Sequence, residues 1–366
     1  MAKAQLADVM GRMMTEAQKT YGSDTCYVAP DHAATHYGVP VGNLALEYLL
    51  CSNVIPMERM IELSGPKGSG KSALGYDLTK RVLGSGGVGV LVETENKSSA
   101  PLLLSLVGEK AEYLRMHRVK NMDQAQERMT SEFALYKKVV PDKSVPFSIM
   151  LDSLVGSKAE ESVKNINKEG SADRAFPKEA LMISSYMGTM ADKLIGWPAL
   201  FIFTNHEKQA TNTTGHGPKT RNPGGSAPDF HATYHVRVTK IATSASKLEP
   251  GFTVKLKTKK CAMGPDGRSI VVDMGWKFSQ VDGKVSQDTW FDWDKATAEL
   301  LAGDEVPRTA VKDIVQVTKV TNTKYNCTTL GMSGVHPREI GAAIHSDKDM
   351  VAKLRAVLGI FTWREL

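Results

Sequence analysis

A chain of 366 residues, 42% hydrophobic and 23% charged, can bury one large core plus a smaller domain, and its composition is that of a globular protein. No apolar run is long enough to cross a bilayer, the first residues lack a secretory apolar segment, and the four cysteines (Cys26, Cys51, Cys261, Cys327) stand far apart with no C-x-x-C pair. These features argue against a membrane span, a zinc frame or a disulfide scaffold and predict a protein of the reducing cytoplasm. The net charge of +6 permits a polyanionic partner without requiring one, and the 17 methionines read as soft core filling.

Leu6, Val9, Met10, Met13, Met14 and Ala17 recur at helical spacing, so residues 2–20 predict a helix. So short a segment should dock, either on its own core or on a neighbouring subunit. Residues 21–42 read as loop and Val41 to Leu50 as a short apolar helix; Ile55-Pro56 then turns the chain into a buried strand, Met60 to Ser64. Gly65-Pro66-Lys67-Gly68-Ser69-Gly70-Lys71-Ser72 follows, and the helix-compatible stretch that continues it, with Ala73, is stopped by glycines at 84–87. Strand, glycine loop and helix start thus come in the order a phosphate loop requires. Gly65, Gly68 and Gly70 let successive N–H groups turn inward as an anion nest. The helix start adds its positive dipole end, Lys71 can reach the β- and γ-phosphates, and the Ser72 hydroxyl can ligate Mg²⁺.

Val88 to Val92 is a second buried strand and ends in Glu93-Thr94-Glu95. Ligands in open α/β sheets sit at the carboxyl ends of strands, where a glutamate can orient or deprotonate water. By position alone the same acids also fit a solvated loop. A helix beginning near Pro101 and another over 123–139 lead to a third strand, Phe147 to Leu151, that ends in Asp152-Ser153. An apolar strand ending in aspartate downstream of a phosphate loop predicts a Mg²⁺-linked carboxylate. Residues 158–174 carry Lys158, Lys164, Lys168 and Arg174 and read as a mobile polar loop. A helix over 176–194 and a fourth strand, Ala199 to Thr204, follow, ending in Asn205-His206. Residues 207–230 hold Lys208, Lys219 and Arg221 and almost nothing apolar; structureless stretches of that length are usually functional. Strands are predicted over 234–241, 251–257 and 269–274, helices over 290–301, 336–344 and 347–360, and residues 312–330 are left between strand and loop.

From the residues alone this is a nucleotide-hydrolysing α/β domain with two long basic loops leaving the strand ends that carry the nucleotide chemistry. Nucleotide state can therefore order or release those loops.

The order of motifs resembles the RecA family of recombinases, including its phage UvsX-like members. The likeness runs from Tyr37-Gly-Val-Pro40 through Gly65–Ser72, Glu95, Leu151-Asp152-Ser153, Asn205-His206 and Gly224-Gly225 to Lys257-Thr-Lys259 and Met274. It implies an α/β RecA-like P-loop ATPase core with a mainly parallel twisted sheet flanked by helices, a short N-terminal helix and a small α+β C-terminal domain. The implied boundaries are 1–36, 37–285 and 286–366. The implied activity is a DNA-dependent ATPase, with ATP and Mg²⁺ as cofactors, that forms filaments on single-stranded DNA and exchanges strands with homologous duplex DNA. Single-strand-binding and mediator proteins are the further partners implied, in a bacterial cell or from a phage genome.

The resemblance also implies roles. Glu95 is the catalytic glutamate, Asp152 and Ser72 hold the metal, and residues 65–73 cradle the phosphates. His206 stands where bacterial members have a γ-phosphate-sensing glutamine, and UvsX-like members also have Asn-His there. Lys257 and Lys259 reach an adjacent subunit's ATP. Loops 157–174 and 207–230, with Gly224 and Gly225, contact DNA. Three departures from the bacterial pattern point to a phage-type member, one being that loop 207–230 is polar and proline-rich with no bulky apolar wedge until Phe230. Leu102-Leu103-Leu104 replaces the aromatic that covers adenine, and the sequence ends Phe361-Thr-Trp-Arg-Glu-Leu366 in place of an acidic tail. A ring-forming RecA-like motor and a non-hydrolysing recombination mediator are the competing expectations. The late lysines 257, 259 and 260 speak against the first, and intact Lys71 and Glu95 against the second.

Overall fold

The computed structural model describes residues 2–21, 37–95, 100–154, 176–209, 220–221, 226–243, 250–281 and 284–366. The N-terminal helix α1 (Ala2–Tyr21) forms as its spacing predicts, and Leu6, Val9, Met10 and Met13 on its apolar stripe are exposed. After β1 (Tyr37–Pro40) comes α2 (Leu44–Leu50), with every residue buried; the Asn43 side chain accepts from the Ala45 and Leu46 N–H groups and caps its start. β2 (Val54–Pro56) pairs antiparallel with β1.

The central elements alternate strand and helix: β3 (Arg59–Gly65), α3 (Lys71–Gly84), β4 (Val88–Glu93), α4 (Ala100–Val107), β5 (Leu114–Arg118), α5 (Met122–Val139), β6 (Phe147–Asp152), α6 (Phe176–Leu194) and β7 (Ala199–His206). A two-residue ladder, β8 (Lys208–Gln209) with β9 (Thr220–Arg221), and a short helix α7 (Ala227–His231) lie within the stretch expected to be loop. Then come β10 (Tyr234–Thr243), β11 (Gly251–Cys261), β12 (Ser269–Val281) and β13 (Lys284–Phe291).

These strands make one nine-stranded sheet in the order β13-β12-β11-β10-β3-β7-β6-β4-β5. Pairing is parallel from β10 to β5 and antiparallel from β10 to β13. The inner parallel strands β3, β4, β6 and β7 are near-continuously apolar because both sheet faces are covered. Their side chains alternate between two cores: Leu200 and Ile202 of β7 join Leu74 and Leu78 of α3, while Phe201 and Phe203 join Met129 and Phe133 of α5 and Met187 of α6. β5 escaped the sequence reading because it is an edge strand rich in charge, Leu-Arg-Met-His-Arg, with Arg115 and His117 both on the Glu132 carboxylate.

Beyond the sheet lie α8 (Trp293–Ala302), α9 (Arg308–Lys312), a small antiparallel sheet of β14 (Val317–Lys319), β15 (Tyr325–Cys327) and β16 (Met332–Val335), then α10 (Pro337–Ser346), α11 (Lys348–Val357) and β17 (Arg364–Glu365). The helix expected from Trp290 begins at Trp293 instead. Residues up to Phe291 pair with β12, and the Asp292 carboxylate accepts from the Lys295 N–H as the cap. β13 therefore spans residue 286, where the sequence changes character. Residues 312–330 resolve into two strands. Leu301, Val311, Tyr325, Ile340 and Leu354 belong to the same continuous core as Ile61 and Leu63 of β3. Arg355 clamps Glu47 of α2 with two hydrogen bonds of 2.7 Å, and β17 pairs in parallel with β1.

Where α10 crosses α8, Gly341 is packed so closely that a Cβ there would lie 2.0 Å from the Asp294 carbonyl oxygen. Gly341→Ala should destabilise the protein by about 1–3 kcal/mol, because backbone rather than a side-chain tip must yield. Thermal unfolding should show the drop, whereas Gly84→Ala, with open space around it, should leave the midpoint near wild type.

Candidate nucleotide site

The carboxyl ends of β3, β4, β6 and β7 meet at one cavity of about 430 Å³ lined by residues 67–73 together with Glu93, Glu95, Asp152 and His206. Each end is positioned by register: Gly65 pairs with His206 across β3 and β7, and Glu93 with Asp152 across β4 and β6. Gly65 has φ +148°, and a Cβ there would fall 2.1 Å from the Val238 carbonyl oxygen, so no other residue fits. Gly70, φ +93°, is the N-cap of α3 and offers no side-chain cap, which leaves the helix's first N–H groups facing the cavity.

The loop fits a polyphosphate by its own chemistry. The Ser69 hydroxyl is buried with no hydrogen-bond partner among the described residues. The Lys71 ammonium donates to the loop's own carbonyls, Gly65 O at 3.0 Å and Pro66 O at 2.7 Å. Burial lowers the Lys71 pKa, while Asp152, Glu95 and Glu207 act to hold it up. A phosphate would give this buried cation a stronger partner than two carbonyls.

Ser72 and Asp152 fit a hard cation. Ser72 and Asp152 both line the cavity, and a side-chain hydroxyl and a carboxylate are oxygen donors of the kind such a cation takes. Thr204 Oγ1 donates to Asp152 Oδ1 at 2.5 Å, and Tyr76 lies 3.5 Å from Oδ2. Burial raises the Asp152 pKa; the bonds from Thr204 and Ser72 pull it down, and the charges of Glu95 and Glu93 push it up, with a net rise.

The two acids of Glu93-Thr94-Glu95 are placed differently. Glu95 Oε1 accepts from His206 Nε2 at 2.8 Å and from the Ser153 hydroxyl at 2.7 Å. Glu93 is almost fully buried, with the exposed Arg118 3.8 Å away. Glu95 is thus held by two donors that orient it at the cavity. The contact between Glu95 and His206 was not foreseen from the sequence: 111 positions separate them, and only the strand order joins them. His206 is fixed in turn by its neighbour, since Asn205 Nδ2 donates to the buried Glu62 carboxylate at 2.9 Å.

Lys257 and Lys259 do not line this cavity; alternation along β11 puts both on an exposed face. Lys259 donates to Glu207 at 3.1 Å, and Arg237 donates to the other carboxylate oxygen at 2.7 Å. Lys158, Lys164, Lys168, Arg174, Lys219, Gly224 and Gly225 lie outside the described residues, and Lys208 and Arg221 are described in backbone only, as partners in the β8–β9 ladder. No helix among the described residues is long and apolar enough to cross a membrane.

Fold and site together define a RecA-like phosphate-loop nucleotide-binding protein. Residues 8–278 match the model of the RecA N-terminal domain, and the chain belongs to that family. Similar relatives include Protein RecA of Mycoplasma mobile, 22% identical over 281 residues covering 76% of this chain and 80% of the relative. Protein RecA of Oleidesulfovibrio alaskensis is 24% identical over 273 residues, 73% of each chain. That of Campylobacter jejuni subsp. doylei is 24% identical over 258 residues, 70% of this chain and 71% of the relative.

The raised Asp152 pKa has a measurable consequence. Were Asp152 to ligate Mg²⁺, protonation would remove its binding form, and the Mg²⁺ concentration needed for nucleotide binding should rise as pH falls, starting above the ordinary carboxylate range. Thr204→Val removes a bond that lowers this pKa and should move the onset to higher pH. Nucleotide affinity titrated against Mg²⁺ at several pH values checks both; an Mg²⁺ requirement flat from pH 5 to 8 would remove Asp152 from the metal site.

Proposed function

We propose that the protein is a DNA-dependent ATPase that assembles as a helical filament on single-stranded DNA and catalyses homologous pairing and strand exchange with duplex DNA. The observation that carries the proposal is the convergence of Lys71, Ser72, Asp152, Glu95 and His206 on one cavity at the strand ends from which the segments 157–174 and 207–230 depart. Ser72 and Asp152 would hold Mg²⁺, which when bound neutralises phosphate charge.

The chain's own residues do the rest. The nest and Lys71 bind the triphosphate. Glu95, oriented by Ser153 and His206, accepts a proton from the attacking water. His206 carries the state of that site to the segment beginning at Glu207. Lys257 and Lys259 act on the nucleotide of an adjacent subunit, so turnover depends on assembly. Basic residues of the two loops, Lys158, Lys164, Lys168, Arg174, Lys208, Lys219 and Arg221, contact the DNA backbone, with Gly224 and Gly225 allowing close approach. Phosphate contacts make binding sequence-tolerant and salt-sensitive. The phage-type assignment has its support in Asn205-His206 and in the departures from the bacterial pattern at residues 102–104 and 207–230.

ATP hydrolysis with and without single-stranded DNA is the direct test, and turnover that DNA does not stimulate would refute the proposal. Glu95→Gln keeps the shape and both donors' partner but cannot take a proton, so it should lower kcat by about 10²–10⁴-fold while filaments still form with ATP. Glu93→Gln should be much milder; equal losses would mean that Glu95 is not the base. Replacing Lys208, Lys219 and Arg221 by Ala together should flatten the salt dependence of single-strand binding by at most about 0.7 log units per lost phosphate contact.

A further inference from the structure

The sequence offers leucines at 102–104 where the resembling family covers its base with an aromatic. The structure brings aromatic side chains to the cavity from elsewhere. Phe252 of β11 and Trp276 of β12 line it beside Leu102 and Met274. Antiparallel register makes this wall: Phe252 stands directly opposite Met274, and Trp276 follows two residues on, on the same face. The two rings meet edge to face with centroids 5.7 Å apart. Phe252 packs on the phosphate loop itself, since a Cβ on Gly70 would lie 3.3 Å from its ring. The Lys240 ammonium, 4.9 Å from that ring's centroid, adds a cation–π contact.

The described residues lining the cavity divide by chemistry. The charged and hydroxyl-bearing ones belong to the phosphate loop, to α3 and to the ends of β4, β6 and β7; Tyr76 is turned to Asp152. Apart from Gly68, Gly70 and Ala73 of the loop and helix start, what remains is Leu102, Phe252, Met274 and Trp276. A nucleotide whose phosphates fill the nest has one large apolar, flat part left to place, its base. We propose that these four side chains form a stacking wall for that base, and that the site accepts purine nucleoside triphosphates as a class, adenine and guanine alike. The proposal rests on reading Gly65–Ser72 as an active nucleotide site.

The wall grips a π face without reading an edge. Strong discrimination between bases needs buried hydrogen-bonding groups that the wrong base leaves unpaired; apolar contact alone separates similar ligands by about 10–200-fold at most. The one side-chain donor in the wall is the Trp276 indole N–H, and both purines offer it the same N7 acceptor. Pyrimidines present less area to stack and bind more weakly.

The test compares ATP, GTP and CTP hydrolysis by the full chain and its Trp276→Ala and Phe252→Leu variants, with inorganic tripolyphosphate as a competitor lacking a base. The wild type should turn over GTP with kcat/KM within about tenfold of ATP and exceed its rate on CTP. Trp276→Ala should raise KM for ATP and GTP together by about tenfold and leave tripolyphosphate inhibition unchanged. Phe252→Leu keeps an apolar contact for Gly70 and should act in the same direction, covering the case in which the alanine variant does not fold. A preference for ATP over GTP beyond about 10³-fold, or variants with unaltered KM for both, overturns the wall while tripolyphosphate binding preserves the nucleotide site. Failure of every nucleotide and of tripolyphosphate to bind overturns the site and the wall with it.

Discussion

Everything at the nucleotide site depends on the register of four parallel strands. Gly65 sits opposite His206 and Glu93 opposite Asp152 because β3, β7, β6 and β4 pair without a shift in register. A slip of one residue in any of them would send each inward side chain to the other face of the sheet. The register is held by burial. Met60 and Ile61, Val90 and Leu91, Ile149 and Met150, Phe201 and Ile202 divide between two separate cores, so each strand is locked from both sides. Polar groups can then be placed at the strand ends with little freedom, which is what oriented chemistry requires.

Local order in the sequence made part of this legible. The phosphate loop is read from consecutive residues, and the strands ending at Glu93, Asp152 and His206 announce themselves as apolar runs closed by a polar side chain. Contacts across the sheet were not legible. Nothing near Glu95 indicates that His206 and Ser153 will hold it, and nothing near Leu102 indicates that Phe252 and Trp276 will stand by it. Those neighbours follow from strand order and from the β11–β12 register, which turn residues fix only after the strands have paired. β5 was missed for a different reason: its charges are compensated by Glu132 of α5, so apolar alternation, the usual signal, is absent. The start of α8 was misplaced because Trp290 and Phe291 are apolar enough for either a strand or a helix. The Asp292 cap settles the matter.

The described part of segment 207–230 is tied to the phosphate loop through a shared acceptor. Gly65 O takes a hydrogen bond from the Lys71 ammonium at 3.0 Å and another from the Glu207 N–H at 3.2 Å. The Glu207 carboxylate is buried beside Arg237 and Lys259. Burial alone would raise its pKa; the two cations outweigh that and leave it lowered, so it stays charged. Removing either cation would leave a buried carboxylate undercompensated, which costs more than the pair contributes. In the proposed function both ties bear on nucleotide. Phosphate competes with Gly65 O for Lys71 in the same subunit, and a neighbouring subunit's phosphate competes with Glu207 for Lys259. Loss of Lys259 to phosphate would leave Arg237 as the one cation of the pair still on the Glu207 carboxylate. Because binding free energies are reciprocal, a change at Glu207 that frees Lys259 would in turn favour Lys259 on phosphate. Under that proposal Glu207, the residue after His206, would be the point where a neighbouring nucleotide acts on segment 207–230.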